Sequence, residues 1–106
     1  MQEKELFIKA ALGYDAGINS GDHKKANKFH KELMKLKATM DSEKIEHLCL
    51  DLLNDDNDSI RLWAATFMFD VNIDTATKVL SELANRNCIA GLTAKLLLDA
   101  KQKGLV

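Results

Sequence analysis

The chain has 106 residues, no proline and five glycines, with 46% hydrophobic and 29% charged residues and a formal charge of −1. That length holds one domain, the apolar share supplies a core, and the combination argues against intrinsic disorder. The near-neutral charge speaks against a generic polyanion binder, and no run approaches the roughly eighteen apolar residues of a membrane span.

The opening stretch MQEKELFIKAALGYD is charged at its start and has no cleavage-site pattern, so it does not read as a signal peptide, and a cytoplasmic location is expected. Residues 3–18 place Phe7, Ile8, Ala11, Leu12 and Ile18 at near-helical intervals, with Glu5 and Lys9 facing each other outside. Gly17, Asn19, Ser20 and Gly21 read as the first turn. Asp22 suits the N-cap of a second helix, whose stripe is Ala26, Phe29, Leu33, Leu36 and Met40. Lys24, Lys28, Lys31 and Lys35 lie off that stripe and form a basic flank. Asp41 or Ser42 can cap a third helix carrying Ile45, Leu48, Cys49, Leu52 and Leu53. After the loop Asn54 to Asp58, Ile60, Trp63, Ala64, Phe67 and Met68 recur at helical spacing, with alanines that admit a close neighbour. Asp70, Asn72 and Asp74 break the chain again, and Asp74 is the expected cap of a helix through Val79, Leu80, Leu83 and Ala84. The last helix runs from near Ile89 through Leu92, Leu96, Leu97 and Ala100 to Gly104.

The expected fold is therefore all-α, one domain of about six helices in antiparallel pairs near residues 3–39, 43–69 and 74–103. A weak internal repeat supports the pairing. Ile60, Ala65, Met68 and Phe69 match Ile89, Ala94, Leu97 and Leu98 at an offset of 29, and Cys49 and Leu52 match Leu80 and Leu83 at 31. The first pair does not share this pattern and reads as a cap. Charge is polarised along the chain: residues 22–39 hold six lysines against two acids, and residues 41–60 seven acids against one lysine.

The segment LLNDDNDSIRLWAA resembles a HEAT repeat, in which an aspartate-bearing loop leads into a helix that begins with an apolar residue, an arginine and small residues. With FIKAAL, GDHKKANK, ATKVLSELA and AGLTAKLLL, the chain over nearly its full length is similar to an uncharacterised bacterial family of HEAT-like proteins classed as a domain of unknown function. The resemblance implies a short right-handed α-solenoid. It also extends to small helical immunity proteins that bind secreted bacterial toxins, a likeness of fold and size. The implied function is stoichiometric protein binding: an immunity protein that blocks the active surface of a cognate toxin. A HEAT-like scaffold or adaptor, and a nucleic-acid-associated helical protein, are the alternatives.

The candidate interface residues are Asp55, Asp56, Asp58, Arg61 and Trp63. Arg61 lies in the first turn of its helix, where the dipole disfavours a cation, so a compensating group is expected. By the resemblance that group is an aspartate: Asp55, Asp56 or Asp58 nearby, or Asp99 farther off; direct contact with a partner is the other reading. Trp63 reads as a core residue or as an interface anchor. The three aspartates lack the ligand series, glycine and closing glutamate of a calcium loop. They can instead form a patch for a basic partner, such as a toxin or nuclease domain, or a solvated loop. The lysines of the second helix lack interleaved arginine or aromatic residues, which disfavours nucleic acid. His23, His30 and His47 have no metal-ligand spacing, and no serine or cysteine sits in a nucleophile context. No catalytic, cofactor or metal site is expected. Cys49 and Cys88 read as buried, inert thiols in a reducing compartment.

Overall fold

The computed structural model describes residues 2–86 and 89–103. It contains six helices in chain order: α1 (Gln2–Ser20), α2 (His23–Ala38), α3 (Ser42–Leu52), α4 (Asp58–Met68), α5 (Ile73–Ala84) and α6 (Ile89–Gln102). Four helix starts are fixed by side-chain caps that satisfy otherwise unpaired N–H groups. Asp22 accepts from Lys25 N at 3.1 Å, Asp41 from Lys44 N at 2.9 Å, and Asn72 from Thr75 N at 3.2 Å. Asn57 accepts from both Ser59 N at 2.9 Å and Ile60 N at 3.1 Å. The cap of α5 is thus Asn72 and not Asp74, which lies inside the first turn, where its charge suits the positive end of the helix.

The first turn is also later than its glycines suggest. Gly17 lies within α1, and a Cβ there would stand 2.7 Å from Ala26 N and 3.0 Å from Ala26 Cα. Its role is to let the backbones of α1 and α2 approach. The chain reverses at Gly21, whose φ of 74° is left-handed. Asp22 N donates to Gly17 O at 2.8 Å and Gly21 N to Ile18 O at 3.2 Å, the paired bonds of a Schellman ending.

Consecutive helices pack as α1 with α2, α3 with α4, and α5 with α6, and α4 also packs on α1, α5 and α6. Because α4 has neighbours on several sides, its buried set is wider than one stripe and includes Ser59, Leu62 and Ala65 as well as the expected residues. Against α1, the Phe7 and Phe67 rings meet edge to face with centroids 4.9 Å apart.

The helices gather around α4 into a bundle measuring 34 × 30 × 27 Å, with no elongated axis. With three pairs about 10 Å apart, even a regular stack is only about as long as its own helices. Three of the matched pairs share burial: Cys49 with Leu80, Leu52 with Leu83, and Ala65 with Ala94, whereas Met68 is fully buried and its match Leu97 only half-buried. The match fails on the outer face. Trp63 and Phe67, covered by α1, correspond at the same offset to Leu92 and Leu96, which are 60% and 62% exposed. The third pair therefore does not repeat the packing of the second.

Candidate interaction surfaces

Two of the three loop aspartates have structural work. Asp55 Oδ1 accepts from Asn57 N at 2.8 Å, closing a local Asx turn that presents Asn57 as the cap of α4. Asp58 opens α4 and pairs with Arg86 Nε at 2.7 Å. Asp56 is exposed and makes no hydrogen bond or ion pair among the described residues.

Arg61 is braced, but not by an aspartate. Its Nε donates to Leu53 O at 3.0 Å, and its Nη2 pairs with Glu82 Oε1 at 3.0 Å. Leu53 is the C-cap of α3, so the guanidinium sits at the negative end of that helix. This offsets its unfavourable place at the start of α4. Since α5 runs back along α4, its last turn brings Glu82 and the following Arg86 beside the start of α4. Asp58, Arg61, Glu82 and Arg86 thus form two neighbouring ion pairs that tie α4 to the end of α5. Asp55, Asp58 and Arg61 come together with the bracing of this corner, and only Asp56 is left projecting. Antiparallel pairing of α4 with α5 was the available signal for Glu82 and Arg86.

Trp63 is buried in the core and stacks edge to face against Tyr14, with centroids 5.2 Å apart. His30 approaches the indole at 5.8 Å. The indole Nε1–H is buried without an acceptor among the described residues. A cavity of about 60 Å³ adjoins this cluster, lined by Tyr14, Asp15, Ser59, Trp63 and Thr93 among others. The sequence does not mark Tyr14, and it offers His30 only as a histidine without metal-ligand spacing, because nothing local announces that α1, α2 and α4 meet there.

An open concavity lies elsewhere. A groove of about 760 Å³ between the start of α1 and α3 is lined by Glu3, Asp41, Glu43 and Asp51, with Lys4 and Lys44 as its cations. Met40, Leu48 and His47 complete its lining. Glu3, Glu43 and Asp51 have no ion-pair partner among the described residues.

Cys49 is fully buried, and burial pushes its thiol up to about 12, which makes it inert at neutral pH. Cys88 lies outside the described residues. Among the described residues, no group of three or more His, Cys, Asp or Glu side chains is placed to hold a metal ion. No helix among them is long and apolar enough to cross a membrane. Comparison of the chain with protein-family models, with curated proteins and with solved structures finds no match.

Proposed function

We propose that this chain is a protein-binding module, a short HEAT-like arrangement of helix pairs that acts by covering a basic surface of its partner, without chemistry of its own. In its most specific form it is a bacterial immunity protein that occludes the active surface of a cognate toxin, of which a nuclease domain is one example. The observation that carries this reading is the acidic groove of Glu3, Asp41, Glu43 and Asp51. Glu3, Glu43 and Asp51, which have no ion-pair partner among the described residues, cost little to present to cations, and the half-buried Leu48 offers apolar area beside them. Such a surface speeds association with a basic partner and repels an acidic one. The HEAT-like form is supported by the shared burial of matched positions inside the second and third pairs.

The test is capture of partners from native cells on the full chain, beside a Glu43→Lys/Asp51→Lys variant. A basic protein held in roughly 1:1 ratio by the wild type, lost from the variant, and made non-toxic by co-expression of the chain is the expected result. A partner that the variant retains equally, or one whose toxicity is unaffected, overturns the reading. A scaffold role is the second reading, favoured by a surface of opposite character on the first helix pair.

A further inference from the structure

The exposed side of the α1–α2 pair joins a row of positive charge to an apolar groove. Lys24, Lys28, Lys31 and Lys35 follow one another at spacings of four, three and four, so they share one face of α2 over three turns. All four are exposed, and none has an ion-pair partner among the described residues. They border a shallow depression of about 480 Å³, which shares Glu32 and Lys35 with a second groove of about 460 Å³ between α1 and α2. The floor of that second groove is Leu6, Ala10 and Leu36, and Lys9 and Lys35 stand on its rim. Leu6 is 55% exposed. An aliphatic side chain seated there would cover area that α1 and α2 leave in water.

We propose that this surface docks an acidic amphipathic helix of a partner protein. Its apolar residues would enter the α1–α2 groove, and its carboxylates would lie along the lysine row. A helix recognises a groove through residues at i, i+3, i+4 and i+7, and the lysines, at i, i+4, i+7 and i+11, keep the same helical period. The row spans about 16 Å, the length of a three-turn helix. Charge sign selects the partner, because a basic helix would meet four unpaired ammonium groups. The apolar floor distinguishes a peptide from a nucleic acid, whose phosphates would gain nothing from Leu6 or Leu36. This site carries a net charge opposite to that of the groove of α1 and α3, and Glu3 is the one lining residue the two share.

The probe is a fluorescein-labelled, end-capped peptide with leucines along one helical face and glutamates flanking them, titrated with the full chain and followed by anisotropy. A scrambled peptide of the same composition is the control. The expected result is binding that falls about tenfold or more with the scrambled peptide and with Lys28→Glu/Lys31→Glu. It should fall several-fold with Leu6→Glu and stay unchanged with Glu43→Lys/Asp51→Lys. Amide chemical shifts should move at Leu6, Lys9, Lys31, Lys35 and Leu36. Melting curves check that the variants fold, and the exposed lysine pair carries the test if Leu6→Glu does not. No binding, equal binding of the scrambled peptide, shifts confined to other helices, or tighter and steeply salt-dependent binding of duplex DNA overturns the proposal.

Discussion

Replacing Arg61 with methionine keeps much of the aliphatic stem and removes both polar contacts. The bond from Nε to Leu53 O is charge-assisted and sits against a buried residue, since Leu53 is 4% exposed. Its loss costs about 1.5–3 kcal/mol. The pair with Glu82 is weaker: that carboxylate is 54% exposed, and solvent screening reduces such a pair to about 0.2–1 kcal/mol. Arg61→Met should therefore cost about 2–3 kcal/mol, lowering the melting midpoint by roughly 10 °C. Glu82→Gln should cost less than about 1 kcal/mol, and the double variant should resemble Arg61→Met. Urea unfolding followed by far-UV circular dichroism, with Trp63 fluorescence as a second probe of a single transition, measures all three. Added salt should shrink the Glu82 effect and leave most of the Arg61 effect. A Glu82→Gln loss equal to that of Arg61→Met would place the stabilisation in the ion pair. A near-neutral Arg61→Met would refute the bracing of the α3 end altogether.

Gly17→Ala should destabilise by about 1–2 kcal/mol despite alanine's better helix propensity, because the added methyl meets the backbone of Ala26. Gly21→Ala, in open space at φ 74°, should lose about 1 kcal/mol for conformational reasons alone; equal, negligible losses at both sites in chemical denaturation would contradict this. Leu96→Lys should change stability by less than about 0.5 kcal/mol, whereas Phe67→Ala, at the matching buried position, should cost about 3–5 kcal/mol. In a Cys88→Ser background, Cys49→Ala should be destabilising at neutral pH through the cavity it leaves. Because the folded thiol is held up at about 12 against an ordinary 9.0, its neutral form favours the native state only below about pH 9. That advantage is lost by about 1.4 kcal/mol per unit as pH rises further toward 12. The gap between Cys49 and Cys49→Ala proteins should accordingly narrow above pH 9 in pH-dependent denaturation; a constant gap would show the thiol is not desolvated.

Much of the fold was legible because the helices announce themselves locally. Asp22 and Asp41 cap where their position before an apolar stripe predicts, and the six periodic segments become six helices. The failures are of two kinds. Asn72 outcompetes Asp74 for the cap of α5 because capping depends on the backbone angle at one residue, which a cluster of aspartates and asparagines leaves undecided. Gly17 and the all-round burial of α4 depend on which helices pass close by, and no local pattern carries that information.

The roles of the candidate interface residues were less legible in the sequence, for a related physical reason. Asp55, Asp56 and Asp58 draw attention as a patch because they are contiguous, yet contiguity at a helix start is what turns and ion pairs also require. Asp55 shapes the turn, and Asp58 holds Arg86. Three carboxylates without an ion-pair partner among the described residues, Glu3, Glu43 and Asp51, are spread through the sequence and converge only when the start of α1 lies beside α3. The lysines behave in the opposite way. Their spacing on one helix already fixed a shared face, but the neighbouring groove of Leu6 and Leu36 appears only when α1 packs on α2. A charge run thus locates a surface when one helix carries it, whereas a surface assembled from several helices becomes visible only after they pack.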